Sequence, residues 1–481
     1  MRPIIFFLLL CCSIQLMAQS KQFVEFIGWT EKKIELQTIS NRTKQSSCTF
    51  VVSSDSIRAF VFTGQQLRLM KQFGLARKGR EKLLGGFMRD SSVYMFTEQV
   101  EKGVMHCIAF NVVTEEKKET FIRLDLARER LVNYISAGNH FIYVTANYRT
   151  KELSFYNFTN EKPGAGLRYQ FSDSFWRELL SGFGGRGKIQ LDVLDQEGDV
   201  DLEALARSNK LYITNDTLLL VMNNHIDSTY ITCIDLQQFK AESWLIEHKP
   251  GRQPANRSAY SDNSFLFRNK LYYVCATNDS LLVQVADVYT GEILKTFSTE
   301  RRDDITYKNT PFMEERTVDE RRKDPKDLSK TSSFLRRMVD GNAMIMAKPF
   351  GNDQIEVMVG SYEKTIANTS VGGYPGFNSM PYGGYGYGPT MMRSPYYNNS
   401  YNPGRYIRST WTNSTHFKML LNGANFAHVP GEPGSSVNER IDRYTSKMKI
   451  DPDSESLFVT YGQHYYAYYD KGAYKLVVLK F

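Results

Sequence analysis

An all-β domain built from repeated units is the fold this sequence predicts, and three observations predict it. Aromatic residues form 13% of the 481-residue chain, with 29 Tyr and 30 Phe, and such side chains suit pleated, half-buried strands. Runs of β-branched and aromatic residues alternate with Gly, Asn and Asp turns along most of the length. These runs recur in seven places, and strand-built self-similarity at a period of roughly 40–50 residues is the signature of a propeller. In that architecture a ring of small sheets shares the burial that no unit achieves alone. The expectation is a β-propeller, most simply of seven blades, formed by residues 19–481 as a single domain.

Ahead of the domain, Arg2 precedes an apolar run from Ile4 through Leu10, Cys11 and Cys12 to Leu16 and Met17, and Ala18 offers a small residue before Gln19. A short charged start, an apolar stretch and a small residue before a polar one is the pattern of a cleaved secretory signal, here residues 1–18. Lipidation at Cys11 or Cys12 is disfavoured by the bulky residue before each. No later segment has the ~18 consecutive apolar residues that span a bilayer as a helix. The mature chain is therefore expected in the periplasm, on the cell surface or secreted, with no transmembrane segment.

The repeat is clearest in four units. Their first runs read VYMFTE at Val93, FIYVTA at Phe141, LYITND at Leu211 and LYYVCA at Leu271, which aligns Tyr94, Tyr143, Tyr212 and Tyr272. Their second runs end at turns that align Asn111, Asn157, Asp235 and Asp287. Weaker copies begin at Ile57, Ala343 and Ser456. The run VADVYTGEILKTF from Val285 resembles the blade signature of quinoprotein-type propellers, in which an Asp and a Thr-Gly turn join two strands. The wider pattern is similar to bacterial exported propellers and, more loosely, to WD-repeat proteins. This resemblance implies the fold and brings no functional residue with it.

Three insertions account for the uneven spacing. Residues 172–210 read as helical, since Phe175 and Leu179, like Trp176 and Leu180, lie four apart, and Asp201 stands where it could cap the run LEALA. Residues 300–330 crowd charges of both signs and read as a solvated loop with a short helix. Residues 371–411 are rich in Gly, Tyr, Pro and Asn. The runs IEVMVG from Ile355 and HFKMLL from His416 look like paired strands, which would make this last insertion an overgrown hairpin loop.

Candidate chemistry is sparse. The formal net charge of +8 falls by one to +7 when Arg2 leaves, and basic and acidic residues are mixed, so there is no nucleic-acid footprint. The run GFGGRGK at Gly182–Lys188 has phosphate-loop spacing but continues with Ile189, where a magnesium-binding hydroxyl is needed. No cofactor is expected from the motifs; the acidic residues Asp195, Glu197, Asp199 and Asp201 could gather round calcium, although their order does not fit an EF-hand. Histidines form no HExxH pair and no G-x-S-x-G elbow occurs. Cys48, Cys107, Cys233 and Cys275 are far apart in sequence, which leaves buried thiols and one or two disulfides both open.

The Gly/Tyr segment is the candidate contact surface. No Asp or Glu occurs between Lys364 and Gly431, while Tyr382, Tyr385, Tyr387, Arg393, Tyr396, Tyr397, Arg405 and Trp411 fall within or beside the insertion. Aromatics supply contact area at low entropic cost and Arg supplies forked donors. The segment could hold a protein or glycan partner, or its aromatics could merely pack on their own blade. Two functions follow as expectations. The first is a non-catalytic binding or assembly module of the cell envelope. The second is a propeller-scaffold enzyme, carbohydrate-active or quinoprotein-like, whose groups would converge at the axial mouth.

Overall fold

A computed structural model describes residues 20–481 apart from 32, 42–44, 78–80, 100–103, 125, 127, 182–187, 195–199, 215–216, 226, 239, 249–259, 319–320, 323–324, 352, 372–404, 436, 446–447, 449 and 451. The expected signal at residues 1–18 lies outside the described residues. The chain opens with β1 (Ser20–Phe26) and then builds its first sheet from β2 (Glu35–Asn41), β3 (Ser46–Val52), β4 (Ser56–Thr63) and β5 (Arg68–Ala76). The second comprises β6 (Glu81–Arg89), β7 (Ser92–Gln99), β8 (Val104–Asn111) and β9 (Lys117–Ile122). The third is β10 (Arg130–Ala137), β11 (His140–Asn147), β12 (Glu152–Phe158) and β13 (Pro163–Gln170).

Helix α1 (Asp173–Ser181), strand β14 (Asp192–Leu194) and helix α2 (Leu202–Leu205) follow. They lead into β15 (Asn209–Thr214), β16 (Thr217–His225), β17 (Ser228–Asp235) and β18 (Lys240–Glu247), which form the fourth sheet with β14 laid parallel to β15. The fifth sheet is β19 (Tyr260–Phe267), β20 (Lys270–Thr277), β21 (Ser280–Asp287) and β22 (Ile293–Glu300).

The sixth sheet uses β23 (Phe312–Val318), β24 (Arg321–Arg322), β25 (Lys326–Leu328), β26 (Asn342–Phe350), β27 (Gln354–Val371) and β28 (Arg405–Asn422), with helix α3 (Thr331–Asp340) between β25 and β26. Helix α4 (Val437–Thr445) precedes β29 (Glu455–Thr460), β30 (Gln463–Asp470) and β31 (Lys475–Lys480), and β1 completes this seventh sheet beside β31.

The sheets are held together by their faces. In the fifth, β20 is buried along almost its whole length while β22 alternates, as expected where central strands are covered on both faces and outer ones on one. Neighbouring sheets share apolar clusters: the first with the second, the second with the third, the third with the fourth, and the fourth, fifth and sixth together. Phe73 stacks on Phe110 across the first gap and Phe96 on Phe141 across the second, with ring centroids 4.0 and 4.3 Å apart. The seventh sheet packs on the first. Helix α4 packs on the seventh and reaches the sixth through Glu439, whose carboxylate lies 2.8 Å from Lys418 Nζ. This is a β-propeller type of fold, and the chain is nearly all β.

Each of the seven sequence units lies in a different sheet, and the recurring polar residue has a clear job. Oδ1 of Asn111, Asp235 and Asp287 accepts the N–H groups two and three residues on, which closes the turn into the outer strand. The third-sheet residue at this turn is Asn160, which accepts from the Lys162 N–H. Asn157, aligned from sequence, instead sits buried against His140 Nδ1 at 3.0 Å. Tyr212 also departs from its alignment: it lies on β15, which starts its antiparallel meander, whereas Tyr94, Tyr143 and Tyr272 lie on second strands.

The insertions differ from expectation in part. Helices α1 and α2 occupy residues 172–210, with Trp176 and Leu179 buried, but β14 adds a strand that three residues are too few to announce. Asp201 takes the N-cap position of α2 with extended backbone, and the Glu203 and Ala204 amides lie beside its carboxylate. The charged stretch 300–330 is not simply a solvated loop. Its β23 pairs with β28 across the sixth sheet and buries Glu314, and the helix, α3, begins just beyond it.

The four cysteines among the described residues are free; Cys48, Cys107 and Cys275 are buried and Cys233 is half-buried, each in a different sheet. Burial pushes the thiols of Cys107 and Cys275 up to about 12 and that of Cys48 higher still. A thiolate-directed reagent is therefore expected to modify the native domain first at Cys233 and to reach the other three only in denaturant. Rapid native labelling of all four would contradict this burial.

Candidate functional site

The long hairpin β27–β28 carries the site. Each strand runs 18 residues, but β26 flanks β27 only up to Tyr362 and β23 flanks β28 only from Trp411 to His416. From Ile366↔Thr410 to Val371↔Arg405 the two strands pair with each other alone among the described residues. At the root, Gly360 lets them approach closely: a Cβ there would lie 2.2 Å from the Thr415 carbonyl oxygen. The strands flank the Gly/Tyr insertion as the sequence implied, with Ile355 opposite Leu421 and Gly360 opposite His416.

Alternation along these strands aligns cross-strand rows. Glu314, Thr415 and Ser361 share one row, Arg316, Asn413 and Glu363 the next, and Trp411 with Thr365 a third. Helix α3 covers the inner part of this face because Phe334, Leu335 and Met338 point into the core, where Phe334 meets Phe312 at 4.6 Å and Phe417 at 5.4 Å. That packing delivers Arg337 beside Glu314.

The carboxylate of Glu314 is only 4% exposed, and its Oε1 takes Arg316 at 3.0 Å and Arg337 at 3.1 Å. Both arginine side chains remain partly exposed, at 46% and 38%. Each has donors left over, since a guanidinium carries five. Around them lies an open cleft of about 380 Å³ lined by Arg316, Arg337, Glu363, Thr365, Trp411 and Asn413 among others. Trp411 is 45% exposed. Asn413 Oδ1 has no hydrogen-bond partner among the described residues. A planar aromatic face, forked donors and amide and carboxylate acceptors thus meet in one concavity.

The opposite side of the hairpin root meets a charged cluster. Lys364 Nζ lies 2.5 Å from Glu203, Arg207 reaches Glu203 at 3.0 Å and Asp192 at 3.5 Å, and Arg207 Nη1 donates to Gln190. Burial holds the carboxyls of Asp192 and Asp201 above the usual range, in spite of Arg207 beside the first and the backbone amides and Lys364 beside the second. Every described carboxylate in the cluster has a cationic neighbour, which suits a structural network that ties the hairpin root to α2.

Of the residues expected at the contact surface, Trp411 lines the cleft, and Arg405 is placed by its backbone opposite Val371. Tyr382, Tyr385, Tyr387, Arg393, Tyr396 and Tyr397 lie outside the described residues. So do Asp195, Glu197 and Asp199 of the acidic run and Gly182 to Gly187 of the glycine run; helix α1, not a strand, leads into the latter. Among the described residues no group of His, Cys, Asp and Glu could hold a metal ion. Arg316, Arg337, Glu363, Thr365 and Asn413 escaped the sequence reading. The only local signal was the alternation in FMEERTV, which its charges obscure.

No family model matches the chain, and no curated protein does. Solved structures do match. Hsv2 of Kluyveromyces lactis is 11% identical over 69% of this chain and 94% of its own, with a TM-score of 0.29. A prolyl endopeptidase is 10% identical over 91% of this chain but 46% of its own, with a TM-score of 0.34. The Dos1 propeller is 8% identical over 68% and 67%, with a TM-score of 0.28.

Proposed function

We propose that this chain is an exported, seven-bladed propeller serving as a non-catalytic binding or assembly module of the bacterial cell envelope, which holds a protein or glycan partner through the loop borne on the β27–β28 hairpin. The observation that carries the reading is the hairpin itself, whose strands outrun both neighbours and bring Trp411 at their root beside Arg316 of β23 and Arg337 of α3. Long excursions from a rigid scaffold are where binding residues concentrate. Export is supported by the pattern of residues 1–18, and cleavage after Ala18 would leave β1, which starts at Ser20, intact. The blade number is supported by seven sheets in sequence order, joined by shared apolar clusters from the seventh through the first to the sixth, with α4 reaching from the seventh to the sixth. The acidic run before α2 remains the place where calcium would be sought.

The test is to replace residues 372–404 by a short turn joining the two strands. Loop length affects stability only slowly, by about 0.6 kcal/mol per doubling, so the shortened protein is expected to keep its denaturation midpoint nearly unchanged. In a pull-down from the native envelope it is expected to lose the partner that the full chain retains. Retention of every partner would remove the hairpin loop from the reading.

The enzyme reading has one observation in its favour, the raised carboxyls of half-buried Asp192 and of Asp201. Their pairing with the protein's own cations argues for the structural role.

A further inference from the structure

We infer that the cleft at the hairpin root is a subsite for a neutral carbohydrate, which deepens the binding-module reading and rests on it. Charge decides against an anion. The two guanidiniums of Arg316 and Arg337 are matched by two carboxylates, Glu314 and Glu363, so the cleft offers no excess positive charge to select a phosphate or an acidic peptide. It offers planar hydrogen-bonding groups of both kinds instead. Arg316 and Arg337 donate, the Glu363 carboxylate accepts, and Asn413 and Thr365 do both. Vicinal hydroxyls, each a donor and an acceptor, are the ligand groups that such a set satisfies.

Trp411 supplies the second requirement. Its exposed ring is a flat apolar surface beside those polar groups, and the C–H face of a pyranose is apolar while its rim is polar. Glu314 acts as a positioning residue. Its buried carboxylate fixes both guanidiniums from below and leaves their outer donors toward the cleft. The cleft volume suits one or two sugar units, and the ribbon beyond it gives a longer chain room to continue.

Maltohexaose, cellohexaose and chitohexaose are the probes, with an oligogalacturonate as the charged comparison, titrated against the full mature chain by tryptophan fluorescence and calorimetry. Of the four tryptophans, Trp176 is buried, Trp244 donates its ring N–H to the Val288 carbonyl and half-buried Trp29 lies under Arg58 beside the first sheet, so Trp411 is the ring expected to respond. At least one neutral hexasaccharide is expected to bind with Kd below ~1 mM, and Trp411→Ala or Arg316→Ala to weaken it at least ~10-fold. Both positions are exposed enough for the fold to survive, which the circular dichroism spectrum checks. No binding of any neutral probe up to ~10 mM, binding untouched by Trp411→Ala, or binding of the oligogalacturonate alone overturns the inference. If Trp411→Ala keeps the envelope partner that the loop-shortened chain loses, the cleft fails while the hairpin reading stands.

Discussion

Replacing Asn263 by Leu is expected to cost the fold about 3–5 kcal/mol, because it strips hydrogen bonds from a buried cation and from two neighbouring sheets at once. Asn263 is 1% exposed and Lys210 fully buried. Lys210 Nζ donates to Asn263 Oδ1 at 2.5 Å and to the Ser264 carbonyl at 2.6 Å. The amide nitrogen of Asn263 in turn donates to the carbonyls of Leu205 at the end of α2 and Ala343 on β26, so that with Lys210 of β15 the fourth, fifth and sixth sheets meet at this side chain. Leucine fills the space and satisfies none of these groups. The double variant Lys210→Met with Asn263→Leu should recover part of the loss, since the stranded cation is gone. A single variant as stable as the parent would show that the network contributes little.

Titration gives the same network a second readout. Burial pushes the Lys210 ammonium down to about 7, against the pull of Asp192 and Asp262. An unfolded lysine titrates near 10.4, so between these values the unfolded chain holds a proton that the folded chain does not. Stability therefore rises with pH from about 7 and is lost as pH falls back to it. Above ~9 the buried thiols act in the opposite sense, because the unfolded chain ionises there and the folded chain does not. The denaturation midpoint of the parent should rise between pH 7 and ~9, and Lys210→Met should flatten that slope.

How much of this could be read in the sequence depends on how local each feature is. The seven units were legible because a strand's aromatic and β-branched run and its Asx turn lie within some twenty residues, and Asp287 in VADVYTGEIL does what the pattern implied. Position within a sheet was less legible. Tyr212 and Asn157 fit the letters of the repeat but not its positions: β14 and the helices precede β15 in the fourth sheet, and in the third the turn is closed by Asn160 while Asn157 is buried against His140. Strand β23 was missed because its partner is distant, with Met313 opposite His416, and because a buried Glu314 reads as a surface charge. The site divides the same way. Trp411 stood out by composition, whereas Arg316 and Arg337 converge only through a long-range register and the seating of α3.

Removing β1 is expected to have the other large effect, since it is the strand by which the chain's first residues complete its last sheet. The strand pairs with β31 from Ser20↔Lys480 to Phe26↔Lys475, and the Ile27 and Gly28 amides donate to the Tyr474 carbonyl. Phe23 reaches across to the first sheet, with ring centroids 5.0 Å from Phe62 and 5.9 Å from Phe60. Losing the burial of one such side chain costs about 1.5–3 kcal/mol, and the unmade strand pairing adds to it. A chain beginning at Ile27 should therefore unfold at clearly lower denaturant than one beginning at Gln19. It should also self-associate, because β31 becomes an open edge. A synthetic peptide spanning residues 19–28 offers the missing strand and should restore both midpoint and monomer by pairing with that edge. Phe23→Ala in the Gln19 chain isolates the packing share, since it leaves the backbone pairing in place. If the shortened chain matches the Gln19 chain in midpoint and stays monomeric, the seventh sheet does not depend on its amino-terminal strand.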